Sequence, residues 1–204
     1  HDALPILEEL KWSNPDMPLY DVTFPFIRMV QGPVDYTPGA YRNATREGFR
    51  IDYRNPMSQG TRAHQVAAYV VFDAPLVMLC DSPTRYMADE ACTRFIASLP
   101  VVFDTTRVLA GEIGEYIVTA RKRQDCWYVG GLTGWTPRTL DVDLSLLDPG
   151  REYTATLLAD DGRSAAEPAR YVLSTQRVTS ATRLQIPVAP GGGFALKIEP
   201  ADNK

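Results

Sequence analysis

Two adjacent carboxylates, Glu8 and Glu9, stand just before Lys11 and Trp12. A carboxyl group that donates a proton to a leaving oxygen needs a raised pKa to hold that proton near neutral pH. By spacing alone, adjacent acids beside a lysine read instead as a solvated helix face. Asp35 and Tyr36 lie in the stretch Phe24-Pro-Phe-Ile-Arg-Met-Val-Gln-Gly-Pro-Val-Asp-Tyr-Thr-Pro-Gly39. A loop acid either lines a ligand subsite or caps its own turn, and turn capping is the default reading for Asp35. His64 falls on the apolar face of a helical pattern, where a hydrogen-bonded core histidine is expected. Arg28, inside an apolar run, is expected to form an internal ion pair.

The elements that must position these groups follow from periodicity. Phe24 to Val30 is an apolar run expected to be a strand, with Pro25 near its start, where proline is tolerated. It breaks at Gly32-Pro33, and residues 32–57 read as a long irregular loop. Loops of that length inside a compact domain are usually functional. A strand ending in a polar, glycine-rich loop is how an α/β barrel builds the rim of its active site. A first helix is expected from an N-cap at Ser58, with His64, Ala67, Ala68, Val71 and Phe72 on one face and Pro75 as its end. A second is expected from about Asp89 to Leu99, burying Ala91, Phe95 and Ile96. Beyond residue 100 the apolar period becomes two. Seven strands are expected, at 115–122, 125–131, 139–144, 152–159, 169–175, 183–188 and 193–198, with turns at Asp160-Asp-Gly162 and Pro190-Gly-Gly-Gly193. That pattern predicts an antiparallel β-sandwich of about 100 residues.

Composition excludes several functions. The 204 residues are 45% hydrophobic and 23% charged, with a net charge of -4 and scattered basic residues, which argues against a nucleic-acid partner. The sequence has no apolar run of the ~20 residues a membrane helix requires. Cys80, Cys92 and Cys126 are odd in number and widely spaced, and read as free thiols rather than a disulfide or zinc framework. There is no Gly-x-Ser-x-Gly and no heptad. The glycine run at 191–193 precedes a strand rather than a helix, and so reads as a turn and not a phosphate cradle. The chain opens on His1-Asp2 without a methionine or targeting segment and is expected to be cut from something longer. A complete (β/α)8 barrel takes about 250 residues, more than would leave room for a sandwich here.

Several blocks in order resemble glycoside hydrolase family 97. They are Leu7-Glu-Glu-Leu-Lys-Trp12, the Tyr20-Asp-Val-Thr-Phe-Pro-Phe-Ile-Arg28 segment with its following loop, Asn55-Pro-Met-Ser-Gln-Gly-Thr-Arg-Ala-His64 and Asp81-Ser-Pro-Thr-Arg-Tyr86. Further blocks are Gly114-Glu-Tyr-Ile-Val-Thr-Ala-Arg121, Trp127-Tyr-Val-Gly-Gly131 and Ala189-Pro-Gly-Gly-Gly-Phe-Ala-Leu196. Phe103-Asp-Thr-Thr106 departs from the family's usual Trp-Asp-Glu. The match looks closest to the calcium-dependent α-glucosidase branch and implies only the C-terminal portion of such an enzyme. The implied fold class is a multidomain α+β fragment: residues 1–102 as the C-terminal end of a (β/α)8 TIM barrel, and residues 103–204 as an antiparallel β-sandwich.

The resemblance implies site roles. It places Glu8 on the catalytic general acid, which also touches calcium (Ca2+), and Asp2 where relatives carry a second calcium-binding carboxylate. The spacer Ala3-Leu-Pro-Ile6 departs from the family's glycines there. It makes Asp35 a substrate-lining candidate. The implied parent cleaves α-glucosidic bonds of malto-oligosaccharides with inversion, its base coming from the missing part of the barrel. Since such hydrolysis uses two carboxylates, the isolated chain is expected to be inactive. The implied partners are an oligosaccharide substrate and the remainder of the parent, with oligomerisation through the sandwich, and the implied location is the periplasm. The alternative is a non-catalytic carbohydrate-binding or oligomerisation module, in which Trp127, Tyr128 and Trp135 would stack on sugar rings if exposed. Trp127 and Tyr128 fall on opposite faces of one strand, which favours a core role for both.

Overall fold

The structure, a computed structural model, describes residues 14, 16–52 and 54–201. Glu8 and Asp2 lie outside the described residues.

The sandwich is built on a six-stranded antiparallel sheet. Its strands are β3 (Thr105–Glu112), β4 (Tyr116–Arg123), β5 (Cys126–Thr133), β7 (Tyr153–Ala159), β8 (Val172–Val178) and β10 (Gly193–Pro200), in the order β3-β4-β5-β10-β7-β8. A second, two-stranded sheet pairs β6 (Arg138–Asp143) with β9 (Arg183–Val188). Period-two alternation sends Val118, Ala120, Trp127, Val129, Phe194, Leu196 and Ile198 into one core with Leu140, Val142, Ile186 and Val188 of the small sheet.

The intervening residues face the other way, and a helical layer covers them. Its centre is α3 (Arg62–Val71), every residue of which is buried. Here Ala67, Ala68 and Val71 pack with Ile117 and Leu132, while Ala63, Val66 and Val70 pack with Tyr128, Leu158 and Ala195. The middle sheet is thus covered on both faces, which is why β5 reads as an almost unbroken apolar run instead of an alternation. Trp127 joins the sandwich core and Tyr128 the helical one, opposite faces as expected. Around α3 stand α1 (Met17–Asp21), α2 (Phe24–Ile27), α4 (Pro83–Ala88), α5 (Glu90–Ala97) and a two-strand bridge of β1 (Asn43–Ala44) with β2 (Ser58–Gln59).

Four local readings change. Phe24 to Val30 is no strand: it forms α2 followed by a 3-10 turn over Met29–Gln31. A seven-residue apolar run fits either element by pattern alone. Burial settles it, because Phe24 and Pro25 are inside whereas Ile27 and Val30 are 62% and 80% exposed. Pro25 occupies the first helical turn, where its missing N–H costs nothing. The barrel strand expected here is therefore absent from the described residues. Arg28 is exposed rather than internally paired, and among the described residues its guanidinium reaches the Pro33 carbonyl at 3.5 Å. The first long helix starts at Arg62, not near Ser58, because Gly60 has φ +83° and breaks the helical path. Thr61 is its N-cap, with Oγ1 accepting from the His64 N–H. The second helix starts near Asp89 as expected, with Asp89 as its N-cap, but buries Cys92 with Phe95 and Ile96, leaving Ala91 exposed.

The approach of α3 to the sheet requires Gly130. A Cβ there would sit 2.9 Å from Val70 Cβ and 3.0 Å from the Ala67 carbonyl oxygen, and that backbone cannot move aside. Gly130→Ala is expected to destabilise the chain by about 1–3 kcal/mol. Urea unfolding followed by tryptophan fluorescence measures this, and an unchanged midpoint would show that the helix can back away.

Candidate functional site

The Pro33–Gly39 bend lies beside α3 and is fixed by side chains from below. Tyr69 donates to the Pro38 carbonyl at 3.0 Å and Tyr86 to the Gly39 carbonyl at 2.8 Å. Gln65 Oε1 accepts from the Gly39 and Ala40 N–H groups. Burial pushes the Tyr69 and Tyr86 hydroxyls up, so both stay neutral donors. At the bend's other end, Arg62 makes three 2.7 Å contacts, to Asn43 Oδ1, Asp89 Oδ2 and the Tyr41 carbonyl, and lies over the Tyr41 ring. The segment is thus held as a strap. Asp35 is half-buried on it, between buried Val34 and Tyr36.

Behind the strap sits a buried polar chain. Tyr36 donates to Asp21 Oδ1 at 2.7 Å, Asp21 Oδ2 lies 3.0 Å from His64 Nε2, and His64 Nδ1 donates to the Gly192 carbonyl at 3.0 Å. The Gly192 oxygen can only accept, so Nδ1 carries a proton. Burial, then the Asp21 charge, raises the Tyr36 hydroxyl well above its ordinary value, so it remains a donor. Although His and Asp are catalytic residue types, His64 is fully buried with both nitrogens engaged. It is the hydrogen-bonded core histidine that the sequence predicts.

The glycine turn completes the arrangement. Asp160 Oδ2 accepts from the Ala189 and Gly193 N–H groups at 2.9 and 3.0 Å, and any side chain at Gly192 would run into that oxygen. The Thr61 N–H donates to the Gly191 carbonyl, tying the start of α3 to the same turn. Burial raises the Asp160 carboxyl to about 6, opposed by the Thr61 hydroxyl and the two backbone donors. Its Oδ1 finds no hydrogen-bond partner among the described residues. Sequence reasoning missed Asp160, which sits in a run read only as a turn, and Asp21, which lay unremarked inside a quoted motif.

A cleft of about 260 Å³ opens beside this turn, lined in part by Thr45, Arg46, Thr61, Trp135, Ser164 and Pro168. Trp135 donates to Asp16 Oδ1 at 2.7 Å and lies under the Arg46 guanidinium. A second, apolar groove of about 220 Å³ runs between Tyr69, Leu79, Tyr86, Ile96 and Val101. Calcium takes six to eight oxygen ligands. The described residues include no cluster of three or more His, Cys, Asp or Glu able to hold a metal, and the two implied ligands, Glu8 and Asp2, fall outside them.

Residues 102–199 match the family model described as the glycosyl-hydrolase 97 C-terminal domain, for oligomerisation. The class is therefore a glycosidase-associated β-sandwich, here with a helical layer closing one face. A retaining alpha-galactosidase from Bacteroides thetaiotaomicron is 49% identical over 195 residues, covering 95% of this chain and 29% of that protein. A probable retaining alpha-galactosidase from Streptomyces bingchenggensis is 31% identical over 176 residues, covering 85% of this chain and 24% of that protein. A solved family 97 enzyme from a Pseudoalteromonas species, in complex with acarbose, superposes with TM-score 0.82 at 30% identity over 90% of this chain and 29% of its own. Residues 102–199 carry the C-terminal domain of glycoside hydrolase family 97, and the chain as a whole is similar to the C-terminal portion of family 97 enzymes. It spans less than a third of these relatives.

The Asp160 environment has a pH signature. Its folded pKa, about 6, lies above the ordinary carboxylate value of 3.8, so the folded state binds the proton more tightly. Its contribution to stability is fully present below pH ~4 and is lost as pH rises through about 6. Thermal melts are expected to show this decline between pH 4 and 7 and to show it flattened in Asp160→Asn. Equal slopes in both proteins would mean that the carboxylate is not desolvated.

Proposed function

We propose that this chain is the C-terminal part of a glycoside hydrolase that cleaves α-galactosidic bonds with retention, and that it carries the proton donor while a preceding barrel carries the partner carboxylate. The observation that carries the reading is the 49% identity, along nearly the whole chain, to a retaining alpha-galactosidase. Glu8, in Leu7-Glu-Glu-Leu-Lys-Trp12, is the proposed general acid, and Asp2 and Glu8 are the proposed contacts to calcium. In a retaining reaction the same carboxyl gives its proton to the leaving oxygen and then takes one from the incoming water. Asp35 on the strap is a proposed contact to the sugar. The α-glucosidic, inverting reading is the second one. It rests on the motif match and on the 30% identical family 97 enzyme solved with acarbose.

The described residues support the need for a remainder. Leu76, Met78, Leu79 and Met87 are 50–80% exposed, as expected of a surface that belongs against another part of the parent. A sugar-stacking module is disfavoured by the aromatics. Trp127 and Tyr128 are buried on opposite faces, and Trp135 is half-buried beneath Arg46. The oligomerisation role is favoured instead by the description of the family model over residues 102–199.

The purified chain is expected to turn over neither 4-nitrophenyl α-galactoside nor 4-nitrophenyl α-glucoside. Joined to a family 97 barrel, it is expected to favour the galactoside, with the anomer retained by NMR, and Glu8→Gln is expected to lower kcat by about 100-fold or more. Preference for the glucoside with inversion would install the second reading, and full activity of Glu8→Gln would remove that residue from the chemistry.

A further inference from the structure

The free strand edges of the sandwich differ in how they are guarded. β3, at one end of the six-stranded sheet, is interrupted by a bulge between Val108 and Ala110 and carries Arg107 and Glu112. In the small sheet, β6 carries Asp141 and Asp143, and β9 carries Pro187. Bulges, charges and proline are the devices that stop an edge from pairing with another chain. β8, at the other end of the large sheet, has none but a single charge. Its seven residues, Val-Leu-Ser-Thr-Gln-Arg-Val, run without bulge or proline, and all but Val178 are exposed. Its inner edge is fully paired with β7, and no strand among the described residues pairs with its outer edge, which presents a row of backbone donors and acceptors.

From this we infer that β8 is the self-association edge of the chain, its occupant being β8 of a second copy, added antiparallel about a two-fold axis through Thr175. The inference rests on the oligomerisation reading and specifies the surface. A two-fold interface must be self-complementary, and this register is. Thr175 meets itself, Ser174 meets Gln176, Leu173 lies across from the aliphatic stem of Arg177, and Val172 faces Val178. An axis through Arg177 would instead set like charges against each other. Pairing in this register fuses the two six-stranded sheets into one of twelve. A single added strand is a small interface beside the ~1,600 Å² of a standard one, so the dimer is expected to dissociate on dilution.

Sedimentation velocity of the purified chain, from low micromolar to several hundred micromolar, tests this with two charge variants. Ser174 and Gln176 are exposed and oppose Leu157 and Ala155 on β7, so charges there meet no partner within the sheet. Ser174→Lys with Gln176→Lys sets lysines directly opposite across the axis and is expected to weaken the dimer about tenfold. Ser174→Lys with Gln176→Glu makes two cross-axis ion pairs and is expected to restore it, with both variants melting like the parent chain. A monomer at every concentration would overturn the inference together with the oligomerisation reading. An oligomer indifferent to the double lysine would overturn the β8 assignment alone. Equal weakening by both variants would overturn the register.

Discussion

Everything in this molecule is organised by what His64 touches. One imidazole, fully buried, reaches the carboxylate ending α1 through Nε2 and the carbonyl of the turn leading into β10 through Nδ1. A buried Asp–His pair is weak evidence for stability by itself, because desolvation consumes most of the attraction. Its effect is geometric. Neither partner can move away without leaving a polar group unsatisfied in a dry interior. The end of α1, the start of α3 and the start of β10 are held in one arrangement, and Tyr36 on the Pro33–Gly39 strap is drawn into the same chain through Asp21.

The glycine turn is what makes that contact possible. Gly191 and Gly192 bring backbone so close to Trp135, Gly60 and Asp160 that a side chain has no room. Asp160 then secures the turn with two backbone donors, and the Thr61 N–H secures it from the helix side. The triple glycine, which reads in sequence as a turn, is the place where helix and sheet touch main chain to main chain.

The sequence was legible where one face of an element is buried and opaque elsewhere. The strands over 116–123, 153–159, 183–188 and 193–200 lie close to where the sequence places them, because each sends alternate residues into the sandwich core. β3 was not foreseen, since an edge strand exposed along most of its length carries no alternation to read. Phe24 to Val30 misled because apolar content was taken for burial, when two of its residues stand in solvent on this surface. Of the candidate site, the core role of His64 and the opposite facing of Trp127 and Tyr128 could be read from spacing. The polar chain that His64 joins could not, because Asp21, Gly192 and Asp160 are 43, 128 and 96 positions away from it. Glu8 and Asp2 were visible only through family likeness, as isolated acids carry no periodic signal.

The burial of α3 has a consequence for inheritance. The family-model boundary falls at residue 102, yet the sheet beyond it turns Ile117, Tyr128, Leu132, Leu158 and Ala195 toward helices encoded before it. A recombination event at that boundary would transplant a sandwich with one oily side bare and would leave its donor with an orphaned apolar helix. The unit that can travel between genes is therefore the sandwich together with α3, and lineages that exchange this domain should carry the Thr61–Val71 segment along with it.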